Sequence, residues 1–275
     1  MEMHERVEDQ SPAWTCPTQF DGDRLREQVI AMYDRVARAP EPGGFHFHIG
    51  AAYAIERQGY DAESLRRLPE SCTSRFAGVG NPLAAGPIPA GAVVVDHACG
   101  AGTDLLLAAL AIGPTGQAIG VDLTPAMRAC AVDSAQRAGL AERVRVEAGR
   151  FEALPLPDAS ADIVISNGVL NLATDKLQVL REARRVLRGG GALYLADVVL
   201  DRSLSAIARG NPALWAACVG GALTEPDLRH VLRQAGFAEP RIVARHDCFA
   251  GTSLPDKFGR DITVSSVTLA AFRPA

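Results

Sequence analysis

The residues best suited to chemistry lie between positions 93 and 122. A short apolar run, Val93–Asp96, is followed by the loop HACGAG, which places Gly100 and Gly102 just before a helix-like segment. Glycine has no Cβ, so the backbone can turn sharply there and approach a ligand closely. Asp122 stands twenty residues after Gly102, at the end of the next predicted strand, where a carboxylate can accept hydrogen bonds from both hydroxyls of a ribose. This pattern predicts a site for a nucleoside-bearing ligand.

The same residues favour one class of nucleoside over another. The fingerprint of dinucleotide-binding loops needs a third small residue where this chain has Leu105. A dinucleotide enzyme would also normally carry a separate substrate domain. S-adenosylmethionine has no pyrophosphate and needs only the first loop and the ribose acid. The residues therefore favour a methyl donor over NAD.

Alternating strands and helices from residue 92 onward must hold the loop and the acid in place. Strands are predicted at 92–95, 117–121, 143–147, 162–166 and 192–199, and helices at 103–112, 124–138, 174–188 and 224–236. The segment DIVIS at 162–166 is apolar on consecutive residues, which is typical of a buried parallel strand. Two last strands, 240–244 and 263–272, are separated by a loop that suits an antiparallel hairpin. The pattern predicts an α/β fold with a doubly wound, mostly parallel sheet of about seven strands.

Residues 1–91 have a different character, polar and rich in Pro and Gly, with helical patterns only at 24–38 and 61–68. We expect them to form an appendage or lid on a main domain, 92–275, that carries substrate-binding insertions at 200–225 and 245–262. The run FHFH contains His46 and His48 and follows a predicted glycine hinge at 43–44. If this segment closes over the site, an imidazole can act as general base or metal ligand. The alternative is a short edge strand with one solvated face.

Composition and charge exclude several classes of binding partner. The chain has 28 Lys and Arg against 32 Asp and Glu, without the basic excess usual in proteins that bind nucleic acid. Its start is polar and acidic, unlike a secretory signal, and its most apolar stretch, 105–112, is far shorter than a membrane span. The six cysteines show no zinc spacing and fit a reducing compartment. We expect a cytoplasmic protein that acts on a small molecule. We expect it to have no metal site and to bind neither a nucleic acid nor a membrane.

Several segments together resemble class I S-adenosylmethionine-dependent methyltransferases, and more narrowly the arsenite methyltransferase family. They are VVVDHACGAGTD at 93–104, IGVDLTPAM at 119–127, SNGVLNL at 166–172 and ALWAACVGGAL at 213–223. The resemblance runs from about residue 60 to residue 237 and implies a Rossmann-like fold. It also implies a set of donor-binding residues, namely Asp96, Ala98, Gly100, Gly102, Asp122, Leu123, Arg150, Phe151 and Asn167.

The resemblance assigns each of these residues a place. The first loop would surround the methionine portion, and Ala98 stands where the family usually has a glycine, so we expect a shifted loop. Asp122 would hold the ribose with Leu123 beside the adenosine. Arg150 and Phe151 would flank the adenine edge, and Asn167 would lie near the methyl group.

The resemblance further implies a set of thiols. Arsenite methyltransferases hold trivalent arsenic with cysteines at three positions, which here carry Val79, Gly168 and Cys218. Only Cys218 is retained, and one thiolate is a poor trap for a soft metalloid. Other cysteines that can in principle substitute are Cys16, Cys72, Cys99 and Cys248, although cysteine is also a common small core residue.

Three interpretations of function stay open at this point. The first is methylation of arsenite with Cys218 as a catalytic thiol. The second is methylation of carbon, oxygen, nitrogen or sulfur on an organic specialised metabolite. The third is a non-catalytic protein that binds a metalloid and keeps the adenosine site as a relic. The intact ribose acid argues against the third.

Overall fold

A single twisted sheet organises the chain. The computed structural model describes residues 12, 14–16, 21–39, 48–211, 214–215, 218–247 and 262–275. The strands are β1 (Val93–Asp96), β2 (Gln117–Asp122), β3 (Val144–Ala148), β4 (Ala161–Asn167), β5 (Leu187–Leu200), β6 (Leu223–Thr224), β7 (Arg241–His246) and β8 (Val264–Phe272). Their order is β3-β2-β1-β4-β5-β8-β7, with the short β6 beside β5.

Helices cover both faces of this sheet. The described ones are α1 (Gly22–Arg38), α2 (Ala51–Gln58), α3 (Ala62–Arg66), α4 (Glu70–Thr73), α5 (Thr103–Ala111), α6 (Pro125–Arg137), α7 (Lys176–Val186), α8 (Ala206–Arg209) and α9 (Glu225–Gln234). Short 3-10 turns lie at Pro82–Ala84 and Leu170–Leu172. No helix in the described ranges is long and apolar enough to cross a membrane.

Strand pairing explains where a ligand can bind. β1 pairs in parallel with both β2 and β4, while β5 and β7 pair antiparallel to β8. The chain winds outward from β1 to β3 and then returns to β4, so the strand order reverses beside β1. In open α/β sheets this switch point, at the carboxyl ends of the strands, is where ligands bind. The predicted fold class is confirmed, with eight strands instead of seven because residues 223–224 pair with the end of β5.

One predicted boundary is wrong. The helix expected at 174–188 covers only Lys176–Val186, and its first turn is capped by the side chain of Asp175, which accepts from the amide of Gln178 at 3.0 Å. Leu187 is already extended, and the three glycines at 189–191 lie within β5. They do not form the helix C-cap that their composition suggested. Helix α2 was not predicted from the sequence, since eight residues give little periodicity.

The N-terminal residues share a core with the sheet. One hydrophobic cluster joins Tyr60, Cys72 and Phe76 to Val94 of β1 and Leu105 of α5. The opposite face of the sheet is covered by α7 and α9 through an aliphatic cluster that includes Leu180 and Leu232. This packing fixes the segment 60–80 against the carboxyl end of β1, where it can contribute to a site.

Candidate active site

A cavity opens at the carboxyl ends of β1, β2 and β4 beneath α1. Eight of the nine donor-binding residues predicted from the resemblance line it, namely Asp96, Ala98, Gly100, Asp122, Leu123, Arg150, Phe151 and Asn167. They come from four separate parts of the sequence, and the parallel strands bring them together because their carboxyl ends share one edge of the sheet.

Asp122 ties the first loop to the second strand. Its Oδ2 accepts from the amide of Gly100 at 2.8 Å, and its Oδ1 accepts from the amide of Thr124 at 2.8 Å. Burial raises the pKa of this carboxyl, and the two amide donors oppose that rise. A carboxylate oxygen has two lone pairs, so each oxygen can still accept a hydroxyl from a ligand. The geometry suits a carboxylate that accepts hydrogen bonds from the two hydroxyls of a ribose.

Two more carboxylates line the cavity at the same end as Asp122. Asp96 and Asp104 are 4% and 7% exposed. Burial raises the pKa of Asp104 to about 6, although it accepts two hydrogen bonds. The pKa of Asp96 is raised well above its usual range by burial and by the charges of Asp104 and Asp122. Burial disfavours the charged form of these carboxylates, and a cationic partner stabilises that form. This end therefore fits the positively charged portion of a ligand.

Asn167 works as a clamp as well as lining the cavity. Its Oδ1 accepts from the amides of Val79 and Gly80 at 2.8 and 3.2 Å, and its Nδ2 donates to the carbonyl of Gly80 at 2.8 Å. The same amide donates to Asp104 at 2.9 Å, and Asp104 also accepts from the hydroxyl of Tyr60 at 2.6 Å. Asn167 therefore fixes the loop 78–80 against the floor of the site.

Sequence reasoning missed Asp104, Tyr60 and His97. Asp104 is the one charged residue of α5, whose other side chains are apolar apart from Thr103, and a buried charge in such a helix is a functional signal that could have identified it. His97 also lines the cavity, and its Nε2 is 2.7 Å from the hydroxyl of Ser166. Burial lowers the pKa of His97 to about 4, so the ring is neutral at physiological pH.

Gly102 is also constrained by packing. It sits at the N-cap of α5 with φ +96° and is not among the described lining residues of the cavity. A Cβ there would lie 3.2 Å from the Cβ of Ala131. The left-handed backbone and the close approach of α6 both favour glycine at this position, and its contact with the methyl donor stays a prediction.

Two of the three catalytic candidates are described, and neither is among the described lining residues of the cavity. His46 lies outside the described residues. His48 is half-buried with its ring centroid 4.9 Å from that of Tyr53, and it is not among the described lining residues. Cys218 is fully buried in an aliphatic cluster, also outside that lining.

Burial opposes thiolate formation at three of the other cysteines. Burial raises the pKa of Cys72 to about 11, raises that of Cys99 well above its usual range, and raises that of Cys16. Cys248 lies outside the described residues. A thiol ligates a soft metalloid as the thiolate, so these environments disfavour the substitution that the sequence left open.

The segment that carries Cys218 is held by a buried lysine. The Nζ of Lys176 lies 4.6 Å from the ring centroid of Trp215 and donates to the carbonyl of Ala173 at 2.9 Å. Its side chain is 1% exposed, and burial lowers its pKa to about 7. Trp215 in turn donates to the carbonyl of Arg209 at 2.6 Å. These contacts fix the position of the segment behind the cavity wall.

Comparison with known proteins identifies the family. Residues 88–236 match the family model described as a methyltransferase domain. The chain is 36% identical over 269 residues to the arsenite methyltransferase of Halobacterium salinarum, a match that covers 93% of this chain and 68% of that protein. The chain belongs to the arsenite methyltransferase family. The family's chemistry and its methyl donor, S-adenosylmethionine, agree with the donor site predicted from the sequence.

Two further relatives support this assignment. The arsenite methyltransferase of Aquipseudomonas alcaligenes is 36% identical over 217 residues, covering 76% of this chain and 62% of that protein. An arsenic(III) S-adenosylmethionine methyltransferase from Chlamydomonas reinhardtii has a solved structure that superposes with a TM-score of 0.70 at 33% identity, covering 77% of this chain and 73% of that chain. The chain thus spans about two thirds of the length of the curated relatives it matches.

The buried carboxylates predict a pH-dependent affinity for the donor and its product. S-Adenosylhomocysteine carries an ammonium group, which the ionised form of Asp104 attracts and the protonated form does not. Because the pKa of Asp104 is about 6 in the free protein, affinity should fall as the pH drops below 6, by at most about tenfold for each pH unit. Calorimetric titration between pH 5 and 7.5 measures this. In Asp104→Asn the profile should be flatter, and an identical slope in both proteins would assign the effect to another group such as Asp96.

Proposed function

We propose that this chain transfers the methyl group of S-adenosylmethionine to a small molecule bound beside α1. The observation that carries the proposal is one continuous cavity with two different ends. One end presents Asp122 and the buried pair Asp96 and Asp104, and the other is formed by apolar residues of α1 and of the loop after β4. A ligand with a ribose and a cationic tail fits the first end, which leaves the second for an acceptor.

Each residue of the donor end has a role that its contacts support. Asp122 binds the ribose hydroxyls, and Asp96 with Asp104 offsets the charge of the methionine ammonium. A Cβ added to Gly100 would meet no atom within 4 Å, so open space lies beside this backbone for a ligand. Leu123, Arg150 and Phe151 lie on the adenine side of the cavity.

When bound, S-adenosylmethionine supplies a methyl group already activated by a sulfonium. The protein then has to align an acceptor about 3 Å from that carbon, in line with the leaving sulfur, and to exclude water. The clamp made by Asn167 fixes the loop 78–80 beside this point. The apolar residues of α1 exclude water from it.

The relatives favour arsenite as a candidate acceptor, since the proteins named above are arsenite methyltransferases. Retention of Cys218 agrees with this candidate. The replaced cysteines at Val79 and Gly168 favour an organic acceptor instead. A non-catalytic metalloid binder is disfavoured because the ribose acid and its partners are intact.

The proposal also assigns roles to the N-terminal residues, to the two insertions and to the histidines. Residues 1–91 serve as the acceptor-side cover of a donor-binding domain formed by 92–275, supported by the position of α1 over the cavity. Substrate contacts from 200–225 and 245–262, and a basic role for His46 or His48, stay predictions. A cytoplasmic location is supported by the described cysteines, none of which forms a disulfide.

Ligand-induced stabilisation tests the proposal. S-Adenosylhomocysteine at a hundred times its dissociation constant should raise the free energy of unfolding by about 2.7 kcal/mol. Thermal denaturation with and without the ligand measures this, with adenosine monophosphate as a control that shares the nucleoside but lacks the amino-acid portion. If neither S-adenosylhomocysteine nor S-adenosylmethionine stabilises the protein, the chain is not a methyltransferase.

A further inference from the structure

The three positions that hold arsenic in the family converge in this fold, but they no longer form a thiol site. A Cβ added to Gly168 would lie 3.3 Å from one methyl carbon of Val79 and 3.5 Å from the other. Val79 and Cys218 belong to one cluster with Leu172, Val198, Leu200, Leu204 and Val219. The place of the metalloid is therefore occupied by packed aliphatic side chains.

Val79 and Gly168 are complementary to each other. Gly168 has φ +70°, a conformation that strains any residue with a Cβ, and its neighbour Val79 already fills the space above it. A cysteine at 168 alone would have to push the methyl groups of Val79 aside. Gly168 has no side chain, and Val79 fills the space beside it. The two replacements are therefore complementary in volume.

Cys218 is buried next to residues that line the cavity. The residue is 0% exposed. Leu172 belongs to the cluster that contains Cys218, Val29 and Tyr33 pack against that cluster, and all three also line the cavity, whereas Cys218 is not among the described lining residues. In the described ranges of the chain, no group of three His, Cys, Asp or Glu side chains is placed to hold a metal ion.

The residues of α1, of the segment 76–78 and of the loop after β4 make the cavity lining there mainly apolar. Its lining includes Leu25, Val29, Tyr33, Phe76, Val169 and Leu172. Two arginines also border it, but both have other partners. Arg26 is paired with Asp23 at 2.5 Å, and Arg75 donates to the carbonyls of Ala37 and Ser71 at 2.7 and 2.9 Å. Binding of a small hydrated inorganic acid to such a lining gains little free energy. Burial of a hydrocarbon surface against it is favourable.

We infer that the acceptor is an uncharged organic molecule with an apolar body and one nucleophilic atom, and not inorganic arsenite. The inference rests on the proposed methyl transfer. In that transfer the acceptor's lone pair forms the bond to the methyl carbon, the bond from that carbon to sulfur breaks, and its electron pair stays on sulfur. Any proton on the acceptor atom leaves to water.

The test begins with S-adenosylhomocysteine binding, measured by calorimetry in every protein. Failure at this step contradicts the proposed function and not the acceptor class. The protein loaded with S-adenosylhomocysteine is then titrated with 2-naphthol, followed by its fluorescence. In a separate assay the protein receives S-adenosylmethionine with arsenite and glutathione, and methylated arsenic is measured by mass spectrometry.

Matched variants locate the acceptor space. We expect 2-naphthol to bind saturably and Val29→Thr, which places a hydroxyl in the apolar lining, to weaken that binding severalfold. Val132→Thr makes the same change on the exposed side of α6, where the side chain is 42% exposed, and should leave binding unchanged. Failure of the wild-type protein to bind 2-naphthol, or equal effects of the two variants, overturns the inference.

The second part of the test measures arsenic binding and methylation. The wild-type protein should form no methylated arsenic above a protein-free blank. The double variant Val79→Cys with Gly168→Cys should gain stoichiometric binding of phenylarsine oxide, a reagent for paired thiols, while Val79→Cys combined with Cys218→Ser, which leaves a single thiol in that cluster, should not. Methylation of arsenite by the wild-type protein overturns the inference, and its loss in Cys218→Ser would identify the thiol responsible.

Discussion

Asp122→Ala is expected to weaken the binding of S-adenosylhomocysteine by about a hundredfold to ten-thousandfold. The carboxylate would lose two charge-assisted hydrogen bonds to the ribose, each contributing about 1.5–3 kcal/mol. A tenfold change in the dissociation constant corresponds to about 1.4 kcal/mol, which gives this range. The amides of Gly100 and Thr124 would also lose their acceptor, so the loop that faces the ligand would be less well positioned. Calorimetric titration measures the effect.

Two controls separate lost contacts from a lost fold. Asp133→Ala removes a carboxylate of α6 that pairs with Arg137 at 2.8 Å, away from the described lining of the cavity, and should leave affinity unchanged. Circular dichroism of ligand-free Asp122→Ala should show intact secondary structure. An unchanged dissociation constant in this variant would mean that another residue holds the ribose.

The strand ends that line the cavity could be predicted from the sequence because the signals there are local. The loop 97–102 and Asp122 each follow a strand directly, and parallel pairing of β1 with β2 brings the two strand ends together. The fold class followed from the alternation of apolar strands and amphipathic helices. The resemblance then added the residues on the adenine side, whose own local patterns carry little information.

The contacts of the N-terminal residues could not be predicted in the same way, since they join distant segments. Tyr60 and Asp104 are 44 residues apart, and their hydrogen bond exists only because the N-terminal segment packs on β1 and α5. The burial of Cys218 in a cluster against which Tyr33 packs likewise depends on how α1 docks. A cysteine in a family motif indicates where a thiol lies in the sequence and not whether it reaches the cavity.

The two glycines of the first loop illustrate how one pattern can contain two constraints. Both have positive φ, +51° at Gly100 and +96° at Gly102. The sequence suggested one shared reason, close approach to a ligand. In the structure Gly100 lines the cavity, while Gly102 is constrained at least by the packing of α5 against α6.

Gly102→Ala should therefore destabilise the protein, and Gly100→Ala should mainly weaken ligand binding. At Gly102 an alanine would incur left-handed backbone strain of about 1–2 kcal/mol. Its Cβ would also lie 3.2 Å from the Cβ and 3.3 Å from the Cα of Ala131, and such overpacking typically costs about 1–3 kcal/mol. We expect the free energy of unfolding to fall by about 2–5 kcal/mol, measured by urea denaturation without ligand.

Gly100→Ala is the matched variant because it makes the same chemical change two positions earlier in the same loop. Its Cβ would meet no protein atom within 4 Å, so only the backbone strain of about 1–2 kcal/mol should reduce stability. The new methyl group would project into the space of the donor, and its amide, which donates to Asp122 at 2.8 Å, would shift with it. S-Adenosylhomocysteine should bind this variant at least tenfold more weakly than the wild-type protein. Equal losses of stability in the two variants would contradict the packing constraint at Gly102, and a Gly100→Ala protein with wild-type affinity would show that Gly100 does not face the ligand.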